Sequence, residues 1–392
     1  MHKIILKPGK ENSLKRFHPW VFSGAINKIS GSPEDGDFVS VYSSAKECLG
    51  IGHYQPGSIA VRMLSFTYAE PDAQFWKMKF EEALRLRTLA GLYGSMNTDV
   101  FRLINAEGDG LPGLIADFYN GTVVLQAHST GMYRILDQLA EVLKDVFGEK
   151  IIAVYDKSPA TGSAKSSREN SGRFIFGQPG KGFVNEYNNK FVVDFVEGQK
   201  TGFFIDQREN RKLLSDFSLD KKILNMFGYS GGFSVYGLRG GARYVHTVDS
   251  SARAIELARE NIALNFPDNN NHSEICSDVF DFFRETSEKW DIVILDPPAF
   301  AKSRKVMNNA QQAYKRLNAR AIDYLKPGGL LWTFSCSQVL GMDSFRQAVY
   351  SAALIKGRDV RVLYQLRQPP DHPVSIYHPE GDYLKGLVLQ VN

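Results

Sequence analysis

Two short segments combine residue types that suit group transfer to a ring carbon. Asp296-Pro-Pro298 follows the apolar residues 292–295, and Cys336 lies directly after the next predicted strand. Parallel strands present their sites at their carboxyl ends, so both side chains should lie at one sheet edge. A thiolate that adds to carbon 6 of a pyrimidine makes carbon 5 nucleophilic, and a nearby carboxyl group can hydrogen-bond or protonate ring nitrogen 3. We therefore predict Cys336 as a nucleophile and Asp296 as its acid or hydrogen-bond partner.

These segments leave two other interpretations open. Enzymes that methylate exocyclic amines carry a related Asp/Asn-Pro-Pro-aromatic pattern, but here Ala299 occupies the aromatic position and Phe300 comes one residue later. A lone cysteine is also often a small apolar core residue, and for this chain that alternative stays open. Cys48 follows a turn and Cys276 lies in a predicted strand, so both are predicted to be structural.

A second group of residues fits a nucleotide-like cofactor. A glycine turn containing Gly228 and Gly231 follows a predicted strand, and Asp249 ends the next strand, where its carboxylate can bind both ribose hydroxyls. The spacing Gly-x-x-Gly-Gly is neither a dinucleotide fingerprint nor a P-loop, which disfavours a nicotinamide-dependent oxidoreductase. S-adenosylmethionine (SAM) has a ribose but no phosphate and fits better, with Asp278 as an acceptor for the adenine amine. The predicted cofactor-binding residues of these strands are Asn225, Phe227, Gly228, Gly231, Asp249, Ser250, Asp278, Val279 and Asp296.

The elements that must position these residues alternate between strand and helix, which is typical of a parallel sheet covered by helices. The predicted strands are residues 222–226 and 244–248, a strand that ends at Cys276, and residues 292–295 and 330–334. The predicted helices are 207–217, 232–239, 252–265 and 306–325. Upstream, residues 1–68 read as a small β module, followed by a helix at 73–92. Strands near 101–105, 114–118, 122–127 and 151–155, with a helix at 133–146, indicate a central α/β domain. We place the domain boundaries at 1–70, 71–185 and 186–392, with a polar connector at 157–182.

Composition excludes several classes of protein. Of the 392 residues, 43% are hydrophobic and 23% are charged, with a net charge of +4, so collagen-like, coiled-coil and disordered chains are excluded. The three cysteines are too widely spaced for a disulfide framework or a zinc site. No apolar run is long enough for a membrane span or a secretory signal. We therefore expect a cytoplasmic protein without a metal or a membrane partner.

A series of motifs resembles the class I SAM-dependent large-subunit ribosomal RNA methyltransferases of the RlmI type, which form 5-methylcytosine. The motifs are Phe17-His-Pro-Trp-Val-Phe-Ser-Gly24, Glu107-Gly-Asp-Gly-Leu-Pro-Gly-Leu-Ile-Ala-Asp117, Gly198-Gln-Lys-Thr-Gly-Phe-Phe-Ile-Asp-Gln-Arg208, Asn225-Met-Phe-Gly-Tyr-Ser-Gly-Gly-Phe233, Asp296-Pro-Pro298 and Ser335-Cys-Ser337. The resemblance implies an N-terminal PUA domain, a central α/β domain and a C-terminal Rossmann-like methyltransferase domain. It also implies that Gln207 and Arg208 contact SAM. Some related enzymes carry a second cysteine where this chain has Pro298, so the base for the carbon 5 proton stays unassigned.

Local clusters of basic residues indicate where RNA would bind. Between residues 297 and 322 there is no acid, but there are Lys302, Arg304, Lys305, Lys315, Arg316 and Arg320. Such a rim beside the active site suits a phosphate backbone, although a solvated helix face has the same composition. A second cluster contains Lys10, Lys15, Arg16, His18 and Trp20, of which Trp20 is equally suited to the core and to base stacking.

The expected partner is large-subunit rRNA, free or partly assembled, because a cytosine in structured RNA must be extruded to reach Cys336. The sequence leaves open whether the chain forms a homodimer. An RNA-binding assembly factor that retains the SAM fold without catalysis is the alternative from another functional class.

Overall fold

The computed structural model describes residues 1–159, 172–178, 183–198, 200–301 and 303–392. These residues form two compact units. Unit 1 comprises residues 1–184, 194–205 and 370–381, and unit 2 comprises residues 185–193, 206–369 and 382–392. The backbone therefore passes between the units several times, and each unit is built from separate stretches of sequence.

The first part of unit 1 is a six-stranded sheet with the strand order β2-β6-β5-β4-β1-β3. Alternating apolar side chains form its core, among them Ile4, Val39, Val41 and Val61, which are all inaccessible to solvent or nearly so. The elements are β1 (His2–Leu6), α1 (Asn12–Lys15), β2 (Trp20–Phe22), β3 (Ile26–Ser30), β4 (Phe38–Tyr42), β5 (Cys48–Tyr54) and β6 (Ile59–Ser65).

The second part of unit 1 is a five-stranded sheet with the order β11-β10-β9-β8-β7, covered by helices whose apolar residues share its core. The predicted helix at 133–146 is two helices, because the side chain of Ser129 caps an earlier one and the helical geometry breaks at Ile135. The elements are α2 (Ala73–Leu89), β7 (Val100–Asn105), β8 (Leu114–Tyr119), β9 (Thr122–Ala127), α3 (Thr130–Arg134), α4 (Leu136–Phe147), β10 (Ala153–Asp156) and β11 (Arg173–Gly177).

Unit 2 is built on a seven-stranded sheet with the order β16-β15-β14-β17-β18-β20-β19. The first five strands are parallel, and β20 runs antiparallel between β18 and β19. A short hairpin of β12 (Val184–Glu186) and β13 (Asn189–Phe191) precedes it. The strands are β14 (Lys222–Met226), β15 (Tyr244–Asp249), β16 (His272–Cys276), β17 (Trp290–Leu295), β18 (Leu325–Ser335), β19 (Val360–Leu366) and β20 (Lys385–Val391).

Helices precede or connect these strands. The order in which the chain adds strands to the sheet reverses between β14 and β17, which are adjacent and parallel. Such a switch point opens a crevice at the carboxyl ends of the two strands, where ligands bind in this type of fold. The helices are α5 (Arg208–Asp216), α6 (Gly232–Arg239), α7 (Ala252–Asn265), α8 (Val279–Glu285), α9 (Met307–Asp323) and α10 (Met342–Lys356).

The predicted parallel strands and their helices are present, but one strand is longer than predicted and some elements are additional. The final predicted strand is longer, because β18 begins at Leu325. Pro327-Gly328-Gly329 lies within β18, at an irregularity of its pairing with β17. Elements α8, α10, β19 and β20 have no predicted counterpart. Within the described ranges, every helix is too short or too polar to span a bilayer.

Candidate active site

The turn after β14 requires glycine. Phe227 and Tyr229 have φ values of 59° and 44°, and Gly231 has a φ of 73°, so the backbone winds tightly through the left-handed region. The Gly228 amide donates to the carbonyl of Val248 at 3.0 Å. A Cβ on Gly228 would lie 2.4 Å from the Thr247 side chain. The turn thus brings bare backbone against the end of β15, as a cofactor-binding loop needs.

Asp249 lies at the carboxyl end of β15 with its carboxylate held by the backbone. One oxygen accepts from the Tyr229 amide at 3.0 Å and the other accepts from the Ser251 amide at 2.9 Å. Each carboxylate oxygen can accept a second hydrogen bond, and the side chain is only half-buried. This geometry fits an acceptor for the two hydroxyls of a ribose.

Asn225 is buried beneath the same turn and supplies an unused acceptor. Its amide nitrogen donates to Ser234 Oγ at 2.9 Å, and a chain of hydrogen bonds continues from Ser234 to Thr247 Oγ1 at 2.6 Å and on to His272 Nε2 at 2.7 Å. Its Oδ1 has no hydrogen-bond partner among the described residues. A buried acceptor without a partner costs free energy unless a ligand donates to it. Together with the glycine turn and Asp249, this atom fits bound SAM.

Three further predicted cofactor residues follow the ends of β15 and β16. Asp278 is the N-cap of α8, and one of its oxygens accepts from the amides of residues 280 and 281 at 2.8 and 3.3 Å. Val279 is buried, whereas Ser250 is exposed and its carbonyl contacts Cys276 Sγ at 3.7 Å. The capping role of Asp278 leaves its other oxygen for the predicted contact with adenine.

The segment that leads into α5 is buried in unit 2. Gln207 accepts from the Asn210 side chain at 2.6 Å, and Asp206 accepts from the Tyr383 hydroxyl at 2.7 Å. Arg208 is completely buried, with Nε 3.3 Å from a carboxylate oxygen of Glu209. Sequence patterns alone indicate an ordinary helix start here, whereas the structure holds every polar side chain of residues 206–208 inside the unit.

The two predicted catalytic segments meet at the carboxyl ends of the adjacent strands β17 and β18. Leu295 pairs with Thr333, so Asp296 and Cys336 both follow the end of this paired region. Cys336 Sγ is half-buried and lies 3.9 Å from the carbonyl oxygen of Pro297. The thiol therefore contacts the backbone of the Asp-Pro-Pro segment directly, as the prediction of a shared sheet edge requires.

Two further titratable residues lie close to this pair and were missed in the sequence. Tyr314 of α9 is buried, and the groups that influence its hydroxyl include Ser335, Cys336 and Asp296. Burial raises the pKa of Tyr314 to about 12, so it is a neutral hydroxyl at physiological pH. Lys385 of β20 is also buried and pairs with Ser335 across the sheet. No local sequence signal marks either residue, because both reach the site through long-range packing.

The predicted RNA-binding residues lie in different settings. Lys15 and Arg16 are exposed, and Lys15 forms an ion pair with Glu47 at 2.8 Å. Trp20 is half-buried, donates from Nε1 to Glu107 at 2.9 Å and packs against His378 with ring centroids 4.4 Å apart. Next to the catalytic segments, Lys305, Arg316 and Arg320 are exposed. Lys302 and the side chain of Arg304 lie outside the described residues.

Comparison with known protein families agrees with both parts of this architecture. A family model described as a PUA-like domain matches residues 4–66, and one described as an S-adenosylmethionine-dependent methyltransferase matches residues 111–380. The predicted PUA-like module, the Rossmann-like methyltransferase fold and the use of SAM are thereby confirmed.

Individual relatives and structures extend this similarity over the full chain. Ribosomal RNA large subunit methyltransferase I of Aeromonas salmonicida is 39% identical over 398 residues, which cover 99% of this chain and 98% of that protein. The protein of the same name from Alteromonas mediterranea is 38% identical over 395 residues, with the same coverage. A structure assigned as a SAM-dependent methyltransferase from Streptococcus mutans matches with a TM-score of 0.85 at 24% identity, covering 100% of both chains. A methyltransferase complexed with S-adenosylhomocysteine matches with a TM-score of 0.86 at the same identity.

The predicted family is therefore confirmed from two directions, by the family model over most of the chain and by relatives that match it from end to end. The chain belongs to the S-adenosylmethionine-dependent methyltransferases, in the family of ribosomal RNA large subunit methyltransferase I.

Proposed function

We propose that this protein methylates carbon 5 of a cytosine in large-subunit ribosomal RNA, with Cys336 as the nucleophile and Asp296 as its acid or hydrogen-bond partner. The observation that carries the proposal is the 3.9 Å contact between Cys336 Sγ and the carbonyl oxygen of Pro297, next to Asp296. The rRNA substrate is inferred from the names of the relatives, ribosomal RNA large subunit methyltransferase I, that match 99% of the chain.

The reaction begins and ends at the residues of this edge. Cys336 Sγ forms a bond to carbon 6, and Asp296 hydrogen-bonds or protonates nitrogen 3, which stabilises the charge that develops on the ring. SAM, when bound, would supply the methyl group from its sulfonium, with S-adenosylhomocysteine as the leaving group. Carbon 5 takes the methyl group, then loses its proton to a base, and the electron pair from that C–H bond expels Cys336 from carbon 6.

We assign the cofactor site to the glycine turn and the ends of β14 to β16. Asp249 would bind the ribose, Asn225 would accept from a donor of the ligand, and Asp278 would accept from the adenine amine. Phe227, Gly228, Gly231, Ser250 and Val279 would line the same crevice, with Gln207 and Arg208 from the segment before α5. These assignments rest on the orphaned oxygen of Asn225 and the backbone-held carboxylate of Asp249.

We assign RNA binding to the exposed basic residues near the catalytic segments and to the PUA-like module. Lys305, Arg316 and Arg320 are exposed in a stretch that contains no acid from residue 297 to residue 322. Lys15, Arg16 and Trp20 are the candidates in the PUA-like module, and Lys302 and Arg304 keep their sequence-based assignment. Contacts of this kind weaken steeply as salt increases, because phosphate binding releases counterions.

The first test is methyl transfer from labelled SAM to an unmodified large-subunit rRNA transcript, followed by digestion and mass identification of the labelled nucleoside. We expect the label in 5-methylcytidine. Cys336→Ala should lower turnover at least about a thousandfold because the nucleophile is lost, while SAM binding measured by calorimetry stays unchanged. Cys48→Ala, in β5 of unit 1, is the matched control and should retain full activity.

A second experiment tests the covalent step directly. RNA that contains 5-fluorocytosine cannot release a proton from carbon 5, so the adduct should accumulate as a denaturant-resistant protein–RNA complex in the wild type and in Cys48→Ala, but not in Cys336→Ala. Label in a purine or in the cytosine amine, with full activity of Cys336→Ala, would assign the chemistry to amine methylation by Asp296-Pro297-Pro298. SAM binding without any transfer to rRNA would favour a non-catalytic assembly factor.

A further inference from the structure

Lys385 lies next to the proposed nucleophile because of the strand register in unit 2. In the antiparallel pairing of β18 with β20, Ser335 is opposite Lys385. Cys336 follows Ser335 directly, so the first residue of β20 lies beside the strand end that carries Cys336. The Lys385 ammonium donates to the carbonyl oxygen of Ser337 at 2.8 Å, one residue beyond Cys336 on the other side.

This ammonium is a buried charge, and no carboxylate of the described residues lies at ion-pair distance from it. Lys385 is 4% exposed, and the Ser337 carbonyl is its one hydrogen-bond acceptor among the described residues. Asp382, an acid whose charge raises the pKa of Lys385, forms an ion pair with Arg367 at 3.4 Å. A buried cation is costly when no anion compensates it. A thiolate at Cys336 would provide that compensation.

Two described titratable residues near Cys336, Tyr314 and Asp296, carry no positive charge. Tyr314 from α9 stays neutral, and an ionised Asp296, after β17, would oppose a second negative charge nearby. Electrostatic interaction between Cys336 and Lys385 favours the charged form of each, and burial acts against the ammonium, lowering the pKa of Lys385. The positive charge of Lys385 therefore favours a thiolate at Cys336.

We propose that Lys385 is a positioning residue that stabilises the Cys336 thiolate before the nucleotide is attacked. The inference rests on the proposed function of Cys336. Because Lys385 already carries its proton, the thiol proton goes to solvent when Cys336 ionises. The result is a thiolate–ammonium pair at the carboxyl end of β18, held in place by the Ser337 carbonyl.

The test measures the thiol pKa of each cysteine in the full-length protein. Iodoacetamide labelling is followed across pH 5 to pH 10 by peptide mass spectrometry, which reports Cys336, Cys276 and Cys48 separately. Lys385→Gln keeps a hydrogen-bond donor but removes the charge, and Lys385→Arg keeps the charge. We expect the pKa of Cys336 to rise by about one unit in Lys385→Gln, with about tenfold slower labelling at pH 7, and to stay within a few tenths of wild type in Lys385→Arg.

Internal references separate this effect from misfolding. The labelling profiles of Cys276 and Cys48 should be the same in all variants, and Lys326→Gln, at the opposite end of β18, should leave Cys336 unchanged. An unchanged Cys336 profile in Lys385→Gln would overturn the proposal, as would equal shifts in both Lys385 variants, which would indicate packing rather than charge. Full methyl transfer by Cys336→Ala would instead reject the nucleophile itself, so the two failures are distinguishable.

Discussion

At the scale of single residues, the position of Asp249 leads to a specific prediction about SAM binding. Both of its oxygens are oriented by backbone amides at the end of β15. Asp249→Asn would turn an NH₂ group toward one of these amides and remove an acceptor for the ribose. We expect SAM affinity to fall by about 30-fold to 100-fold, the loss of one charge-assisted hydrogen bond, measured by calorimetry.

The control for this substitution is Asp281→Asn, an exposed residue that pairs with Arg284 on α8. Its SAM affinity should match that of the wild type. Wild-type affinity in Asp249→Asn would show that the carboxylate does not contact the ligand.

Some of the site residues can be predicted from the sequence, and others cannot. The spacing of residues along the sequence is enough to predict Gly228, Asp249 and Asp296 as candidate site residues. Each lies at or after the carboxyl end of a strand, where parallel sheets bind their ligands. The contribution of Lys385 depends on the register between β18 and β20, and that of Tyr314 on how α9 packs. Neither register nor packing has a local signature in the sequence.

At the scale of elements, a buried hydrogen-bond chain joins β14, α6, β15 and β16 beneath the glycine turn. His272 ends this chain, and burial lowers its pKa to about 4. An unfolded histidine has a pKa near 6.5, so the unfolded state gains the proton first as the pH falls. The neutral imidazole therefore contributes stability above about pH 6.5, and this contribution decreases between pH 6.5 and pH 4.

This linkage predicts a pH-dependent effect of His272→Gln. Lowering the pH from 7 to 5 should reduce the free energy of unfolding of the wild type by about 2 kcal/mol more than that of the variant, measured by urea denaturation at both pH values. His2→Gln, a partly exposed histidine on β1, is the control and should follow the wild type. Parallel pH profiles for wild type and His272→Gln would contradict a neutral buried His272.

The elements also show where sequence periodicity is informative. Strands β14, β15 and β17 are largely buried and have clear ends. Their predicted bounds differ little from those observed. Helix α8 has only seven residues and its start depends on the Asp278 cap, while β19 is an exposed edge strand with little contrast between its two faces. Short and exposed elements carry too weak a pattern for prediction from one sequence.

At the scale of the whole molecule, Arg87 shows how distant stretches of sequence are held in unit 1. Its buried guanidinium donates to both carboxylate oxygens of Asp109, at 2.5 and 2.8 Å, and to the carbonyl of Asp371 at 2.8 Å. The Asp371 side chain accepts from the Arg102 amide at 2.9 Å. Residues 370–381 are therefore fixed to their unit by buried polar contacts, which composition and periodicity do not indicate.

Arg87→Met would leave Asp109 buried and unpaired, at a cost of about 3 kcal/mol or more. We expect amides of residues 102–109 and 370–381 to exchange with deuterium about a hundredfold faster, as measured by mass spectrometry. Arg85→Met, on the exposed part of the same helix, is the control and should leave exchange unchanged. Unaltered exchange in Arg87→Met would show that other contacts hold these segments.

The strand order of unit 2 has a consequence for biosynthesis. Strand β19 joins the sheet by pairing with β20, which the ribosome makes later. Without β20, the backbone of β19 has no partner strand in the sheet, and its apolar residues Val362, Leu363 and Tyr364, which are partly exposed even in the complete fold, lie on an unpaired strand. Translation arrest or a nonsense mutation before residue 385 would thus leave an aggregation-prone fragment that chaperones or proteases must remove.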